Sequence, residues 1–76
     1  MSVELVTFIA QQLVSEPEEL SVEARQDGRG TKIEIRCAPD DAGRIIGRGG
    51  RVINSIRTLA RAQADGRNFV EVQLLD

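Results

Sequence analysis

Apolar and polar residues change their spacing along the first half of the chain in a way that predicts one helix and two strands. The stretch SVELVTFIAQQLVS has the spacing of a helical face, with Ser2 as a plausible N-cap and Pro17 ending the helix. The apolar positions of that face are Val3, Val6, Ile9, Ala10, Leu13 and Val14. LSVEARQ and TKIEIRCA then alternate apolar and polar residues around DGRG, a hairpin turn signal, which predicts two antiparallel strands.

The second half of the chain returns to helical spacing and ends on a strand. Pro39 stops the second strand, and Asp40 or Asp41 can cap a short helix, DDAGRII, that ends at Gly47. RVINSIRTLARAQA predicts a longer helix that the Asp-Gly pair at 65–66 ends, and RNFVEVQLL predicts a final strand. Because two helices separate the last two strands, that pair needs a crossover and is parallel. The pattern predicts an α+β fold, α-β-β-α-α-β, with three helices packed on one face of a mixed three-stranded sheet.

Length and composition limit the functions open to this chain. Its 76 residues suit one small domain, 1–76, too short to enclose a deep catalytic cleft. Apolar runs fall far short of the ~20 residues of a membrane span, and the N-terminus lacks a signal peptide's features, so we expect a cytoplasmic protein with no membrane partner. Without histidine, the single Cys37 is expected to pack as a small buried residue. We expect no metal, no cofactor, no small-molecule substrate and no enzymatic activity.

The stretch GRGG at 47–50 interrupts the helical pattern. Glycine weakens a helix by ~1 kcal/mol relative to alanine, so Gly47, Gly49 and Gly50 together divide one helix into two. A Walker loop is excluded because no lysine followed by serine or threonine comes next, and a dinucleotide fingerprint is excluded because Val52 stands where it needs glycine. The G-x-x-G clamp of KH domains fits a position between two short helices, with a plain glycine turn as the alternative.

Charged residues are segregated along the chain, although the net charge is only −2. Residues 1–43 carry four cations (Arg25, Arg29, Lys32 and Arg36) against nine acids, a balance of −5. Residues 44–67 carry six arginines against Asp65, a balance of +5, and residues 68–76 add −2. Because the positive block begins at the glycines, it weakens the alternative that these helix arginines are merely solvated, and a nucleic-acid-binding surface is a candidate for this segment.

Glycines and arginines at this position suit a sugar-phosphate backbone. Glycines lack the Cβ atoms that would hold the strand away, Gly43 one turn earlier also permits close approach, and Arg48 and Arg51 supply charge at the start of the next helix. The candidate RNA-binding residues are Gly43, Arg44, Ile46, Gly47, Arg48, Gly49, Gly50, Arg51, Ile53, Asn54 and Arg57. In this set the arginines would contact phosphates, Ile46 and Ile53 would contact base faces, and Asn54 would contact a base edge.

The longer predicted helix has a core side and a groove side. Val52, Ile56, Leu59, Ala60 and Gln63 share one face, which we expect to lie on the sheet. Ile53 falls at the edge of that face, where core and groove are both open to it, and Asn54, Arg57 and Arg61 continue round from it. The opposite wall of the groove is expected from TKIEIRCA and the hairpin, which makes Arg29, Lys32 and Arg36 weaker candidates.

The segment APDDAGRIIGRGGRVINSIRTLA resembles the core motif of type II KH domains, and the opening ELVTFIAQQLV resembles their first helix. Within that group the chain resembles the small single-domain bacterial KH proteins of the KhpA type over essentially its whole length. The resemblance implies a non-enzymatic protein that binds single-stranded RNA, with single-stranded DNA as an alternative. It also implies a homodimer, pairing with a larger KH-containing partner, KhpB (also called Jag or EloR), and an RNA-chaperone role in gene expression, cell shape and envelope synthesis.

Aromatic residues are too few for a binding mode built on stacking. Phe8 and Phe69 are the only ones, and we expect both to pack, Phe8 from the far side of the first helix against a sheet edge. A rival hypothesis gives the apolar edge formed by Ile46, Ile53, Leu5 and Phe8 to dimerisation. In that case the chain is a protein-interaction module and RNA binding is incidental.

Overall fold

Three helices and three strands follow one another in the order that the hydrophobic pattern predicts. The computed structural model describes residues 2–28, 30–64 and 69–75. The elements are α1 (Ser2–Leu13), β1 (Ser21–Asp27), β2 (Gly30–Arg36), α2 (Ala42–Ile46), α3 (Arg51–Gln63) and β3 (Phe69–Leu75). Short 3₁₀ turns at Pro17–Glu19, Pro39–Asp41 and Arg48–Gly50 join them. The end predicted for α3 at 65–66 lies outside the described residues.

The first helix differs from its predicted bounds at both ends. Ser2, the predicted cap, is already the first helical residue, and the helix ends at Leu13 rather than running on to Pro17. It stops early because the backbone N–H groups of Ser15 and Glu16 donate to the carboxylate of Asp41. Pro17 instead opens the following 3₁₀ turn, where its fixed φ suits the first position.

The sheet is mixed, as predicted, and β2 is its central strand. The order is β1-β2-β3, with β1 antiparallel to β2 and β2 parallel to β3. The pair Asp27–Gly30 closes the predicted hairpin, one residue of which, Arg29, lies outside the described part of the chain. Position 30 requires glycine, because a Cβ there would overlap the backbone of Phe69 on the adjacent strand β3. The crossover through α2 and α3 therefore makes β3 an edge strand.

All three helices cover one face of the sheet and bury the core against it. The buried apolar residues are Val6, Ala10, Ile33, Ile35, Ala38, Ile45, Ile53, Ile56, Ala60, Val70 and Val72. Each large aliphatic side chain among them contributes about 1.5–3 kcal/mol by leaving water. Cys37 is half-buried and packs against this core. The other sheet face is polar, with an ion pair of 3.0 Å between Arg25 Nε and Glu34 Oε1.

The apolar stripe of α3 is displaced from its predicted position. Ile53, Ile56 and Ala60 are buried and Val52 is half-buried, whereas Leu59 is 49% exposed and Gln63 is exposed. The buried stripe lies about 50° further round the helix, at ~100° per residue, so the prediction was wrong for Leu59 and Gln63. The rotation also resolves the position of Ile53, which is 6% exposed and belongs to the core.

Both phenylalanines are exposed, which contradicts the packing predicted for them. Phe8 on α1 is 61% exposed and Phe69 at the start of β3 is 60% exposed. Phe8 lies on the side of α1 opposite the buried Val6 and Ala10. Side chains alternate along the edge strand β3, and those of Val70 and Val72 are buried. Phe69 therefore points outward from the core.

Candidate nucleic-acid interface

The GRGG loop (Gly47–Gly50) adopts a backbone conformation that requires glycine. Gly47, Gly49 and Gly50 have φ values of 76°, 63° and 80°. Gly47 combines its φ with a ψ of 172°, a region of backbone dihedral space that residues other than glycine rarely enter. A Cβ at Gly47 would also overlap the side chain of Val52. The first glycine is therefore fixed both by its dihedral angles and by the packing of α3 behind it.

The rest of the loop presents bare backbone to solvent. A Cβ built at Gly49 or at Gly43 would meet nothing within 4 Å, and one at Gly50 would come no closer than 3.6 Å, to Nδ2 of Asn54. The Gly47 N–H donates to the Gly43 carbonyl at 2.8 Å, which ends α2 directly below the loop. The backbone is therefore open to solvent at Gly43 and Gly49, two of the positions where the sequence pattern leads us to expect a nucleic-acid backbone to approach.

The first turn of α3 is open to an anion. Gly50 occupies the N-cap position in the left-handed conformation, and no side chain caps the helix there. The Arg51 N–H already donates to the Arg48 carbonyl, and the next N–H groups of the first turn point out of the helix with the positive end of its dipole. Arg48 and Arg51 are exposed at the same place. Amide donors, helix dipole and two guanidinium groups together suit a phosphate.

Asp41 fixes the short α2 helix, and through it the loop, against the end of α1. Its carboxylate is fully buried and accepts hydrogen bonds from Ser15 N at 2.9 Å, Ser15 Oγ at 2.9 Å and Glu16 N at 3.0 Å. The backbone hydrogen bond from Ser15 is the main cause of the lowered pKa of Asp41, while burial opposes it and the hydroxyl of Ser15, the backbone of Glu16 and the charge of Arg44 add to it.

Neither aspartate caps α2, so the predicted role of this pair was wrong. Asp41 occupies the N-cap position without a side-chain hydrogen bond to the helix, because its carboxylate faces α1 instead. Asp40 is exposed within the preceding 3₁₀ turn. Arg44 Nε lies 3.2 Å from Asp41 Oδ1, so this candidate RNA-binding arginine is already engaged in an ion pair while most of its side chain stays exposed.

Strand β3, and not β2, borders the groove side of α3. Arg57 Nε donates to the Val72 carbonyl at 3.0 Å, and Arg61 Nε makes a longer contact of 3.5 Å to the Val70 carbonyl. These contacts join α3 to the outer edge of β3. The expectation that TKIEIRCA forms the second wall was therefore wrong: β2 is central in the sheet, and its Lys32 is paired in register with Glu71.

A cleft of about 630 Å³ runs between α3 and β3. Its lining residues are Asn54, Arg57, Thr58, Arg61, Phe69, Glu71, Val72 and Gln73. Arg57 Nη1 donates to Asn54 Oδ1 at 2.9 Å, which holds two of the predicted groove residues together on the α3 wall. Thr58, Phe69, Glu71, Val72 and Gln73 also line the cleft and were not predicted to do so. The alternation of outward positions along the last strand could have indicated Phe69, Glu71 and Gln73 had that strand been recognised as the groove wall.

The two isoleucines proposed for base contact differ in how far their side chains are exposed. Ile46, the last residue of α2, is 40% exposed beside the GRGG loop. Ile53 is buried with the core residues and leaves 6% of its surface accessible. An unstacked base would therefore find apolar surface at Ile46 rather than at Ile53.

Residues 2–28, 30–64 and 69–75 contain neither a metal-ligand cluster nor a helix suited to a membrane. No three His, Cys, Asp or Glu side chains come together there as metal ligands. Among the helices of those same residues, none has the length and hydropathy needed to cross a membrane.

Comparison with known proteins gives matches over nearly the whole chain. A family model described as KhpA/KhpB, KH domain, matches residues 3–74. The RNA-binding protein KhpA of Leifsonia xyli subsp. xyli is 41% identical over 71 residues, 93% of this chain and 92% of that protein. The RNA-binding protein KhpA of Borreliella burgdorferi is 37% identical over 75 residues, 97% of this chain and 92% of that protein.

Solved structures of the protein Era share the fold. Era in complex with MgGDPNP and a segment of 16S ribosomal RNA superimposes with a TM-score of 0.74 at 24% identity, over 96% of this chain and 29% of the Era chain. Aquifex aeolicus Era bound to GDP and AlF4− gives a TM-score of 0.71 at 24% identity, over 97% and 30%. The chain thus corresponds to less than a third of Era, and the likeness concerns architecture.

Proposed function

The chain belongs to the KhpA/KhpB KH-domain family and has the type II KH fold, and from that premise we propose that it binds single-stranded RNA on the GRGG loop without performing chemistry on it. The observation that carries this proposal is the uncapped start of α3 behind three glycines of positive φ, flanked by Arg48 and Arg51. The curated relatives, which are named as RNA-binding proteins, add independent support.

In this proposal the loop holds the phosphates and the cleft receives the bases. A G-x-x-G loop clamps about four nucleotides of backbone. Phosphates lie over Gly49 and Gly50, where no Cβ intrudes, and accept hydrogen bonds from the first-turn amides of α3 and from the two arginines. The bases turn past Ile46 toward Asn54, whose amide nitrogen donates to a base edge while its oxygen stays bonded to Arg57.

A charge-reversal pair in the loop tests the clamp. We expect Arg48→Asp combined with Gly49→Asp to weaken binding of a fluorescent single-stranded RNA at least about tenfold in anisotropy titrations, because two carboxylates repel the phosphates. Aspartate tolerates the left-handed conformation at 49, so the melting temperature and sedimentation should stay near those of the parent protein.

The matched control places the same charge change outside the GRGG loop and α3. Gly28→Asp combined with Arg36→Asp alters net charge equally, at the open hairpin turn and at an exposed position of β2. It should leave the RNA affinity within about twofold, apart from the long-range effect of net charge. Unchanged affinity in the loop variant, or an equal loss in both variants, would contradict the clamp.

A protein-interaction module is the second candidate, favoured by the exposure of Phe8 at 61% and Leu59 at 49%. Under this proposal those side chains mediate a homodimer or a heteromer with a KhpB-like partner. Sedimentation of Phe8→Ser and Leu59→Ser variants beside the loop variant separates the candidates: only the surface variants should lower the oligomeric state. Ile53→Asp does not serve this purpose, because Ile53 is buried in the core and its replacement would unfold the chain.

The cellular part of the proposal follows from the family alone. We infer that the chain acts in the cytoplasm as an RNA chaperone and post-transcriptional regulator with a KhpB-like protein, affecting cell shape and envelope synthesis. Crosslinking the protein to RNA in its own cells, with the loop variant as the control, tests this inference. Recovery of the same transcripts with both proteins would contradict it.

A further inference from the structure

Arg44 on α2 is an exposed arginine that a buried carboxylate holds by one nitrogen. Its Nε lies 3.2 Å from Oδ1 of Asp41, while 58% of its side chain is exposed. In the part of the chain that the structure describes, its guanidinium has no polar partner other than Asp41. A guanidinium carries five N–H donors in a planar fork, so one edge can face a carboxylate while another binds an oxyanion. Arg44 therefore keeps its terminal nitrogens available to a ligand.

The carboxylate of Asp41 does not need Arg44 to be satisfied. It is fully buried and already accepts hydrogen bonds from Ser15 N, Ser15 Oγ and Glu16 N. An ion pair with so exposed an arginine contributes little to stability, because water screens it and the side chain loses conformational freedom. The pair thus orients Arg44 more than it stabilises the fold.

Arg44 is placed directly before the GRGG loop. It precedes Gly47 by three residues, and the Gly47 N–H donates to the Gly43 carbonyl at 2.8 Å, so Arg44 lies within the last turn of α2. Residues three apart share one side of a helix. Gly43, its neighbour in sequence, is exposed with open space around it. A strand that crosses the loop therefore passes within reach of the Arg44 guanidinium.

We propose that Asp41 is a positioning residue for RNA binding: it holds Arg44 so that the free edge of the guanidinium binds a phosphate beside the GRGG loop. The proposal rests on the RNA binding proposed above and adds a contact on α2 to it. An arginine that is already oriented loses less conformational freedom on binding than a free one, so the same contact gives a higher affinity. Because Ser15 and Glu16 hold Asp41, the end of α1 sets this orientation.

Two substitutions at position 44 separate orientation from charge. We expect Arg44→Gln to weaken binding of a fluorescent single-stranded RNA roughly tenfold in anisotropy titrations, since it removes a charge-assisted contact. Arg44→Lys should lose about threefold although it keeps the charge, because an ammonium is a point charge and lacks the fork that faces carboxylate and phosphate together. Both variants should melt near the parent protein, since the pair is exposed at Arg44.

A double-variant comparison tests whether Asp41 acts through Arg44. Asp41→Asn should weaken RNA binding about threefold in the parent background and cause no further loss in the Arg44→Gln background. A role of Asp41 in the fold alone gives the same loss in both backgrounds. Heteronuclear NMR of the Arg44 Nε–H signal reports the orientation in the parent protein, whether or not Asp41→Asn folds. It should show restricted motion both without and with RNA.

Arg25 and Glu34 form the matched control pair. Arg25 Nε lies 3.0 Å from Glu34 Oε1 and the arginine side chain is 68% exposed, but this pair joins β1 to β2 on the open face of the sheet. Arg25→Lys and Glu34→Gln should leave the RNA affinity within about twofold, apart from the long-range effect of net charge.

The possible failures are distinguishable. Full affinity in Arg44→Gln or in Arg44→Lys, equal losses from Asp41→Asn in both backgrounds, or a freely moving Arg44 Nε in the parent protein overturns the positioning role. The clamp is tested separately by the charge-reversed loop variant and stands in each of these cases. Failure of the parent protein to bind single-stranded RNA overturns the proposed function and the positioning role together.

Discussion

Among the glycines of the α2–loop–α3 segment, Gly43 and Gly47 have opposite requirements although they stand one helical turn apart. We expect Gly47→Ala to destabilise the protein by at least ~1–3 kcal/mol, because its dihedral angles exclude a side chain and a Cβ would overlap Val52. Gly43→Ala should instead stabilise it by up to ~1 kcal/mol, since Gly43 is helical and has open space around it. Urea unfolding of both variants, followed by circular dichroism, measures the difference.

Gly43→Ala also separates folding from binding at a single position. If the RNA backbone approaches Gly43 as proposed, the added methyl group lowers RNA affinity in a protein that is more stable than its parent. Equal stability of the two alanine variants would contradict the loop geometry. Unchanged affinity of Gly43→Ala would restrict the close approach to the GRGG loop itself.

Asp41 gives the protein an acid-sensitive anchor. Its pKa is lowered in the folded state, first by the backbone hydrogen bond from Ser15, so the folded state binds fewer protons than the unfolded state, whose carboxyl has a pKa of about 3.9. Its contribution is therefore complete above that value and disappears as the pH falls through the lower folded value. We expect Asp41→Asn to lower the melting temperature at neutral pH and to flatten its decline in acid.

Asp40→Asn is the matched control for that change, because Asp40 is adjacent in sequence but exposed. Both the melting temperature at neutral pH and its decline in acid should stay near those of the parent protein. Melting curves from pH 2 to 7 on all three proteins make the comparison. A steep acid limb that persists in Asp41→Asn would assign the acid sensitivity to other carboxylates.

At the scale of the elements, hydrophobic periodicity predicted which helices and strands form but not how the helix α3 is rotated against the sheet. The strand alternation and the two intervening helices were sufficient for the mixed sheet, because a crossover permits few arrangements. The rotation of α3 depends on contacts such as Arg57 with Val72, fifteen residues apart. No local pattern contains that contact, so the exposure of Leu59 and the identity of the groove wall could not be predicted.

The candidate site divides in the same way. Three glycines within four positions are enough to indicate a break between two helices, so the loop was predictable residue by residue from the sequence. Phe69 and Glu71 line the cleft only because β3 is the edge strand beside α3. Asp41 is a similar case: its partner Ser15 lies 26 residues earlier in the chain, and an N-cap was the nearest local explanation for an aspartate before a helix.

Charge segregation over the whole molecule gives RNA binding a defined dependence on salt. The chain has a net charge of −2, yet residues 44–67 carry +5, so a strand is attracted to the loop side and repelled by the acidic segments. For single strands, the slope of log K against log salt is about −0.7 per phosphate neutralised. If Arg48, Arg51 and Arg61 each neutralise one phosphate, the slope is roughly −2.

Arg48→Gln should reduce the magnitude of that slope by about 0.7, since it removes one phosphate contact. Arg36→Gln, on the open face of the sheet, should leave the slope unchanged although it removes the same charge. Anisotropy titrations of one RNA at several potassium chloride concentrations measure all three slopes. A slope near zero in the parent protein would mean that apolar contacts hold the RNA. Equal reductions in both variants would mean that net charge, and not contact at the loop, controls the affinity.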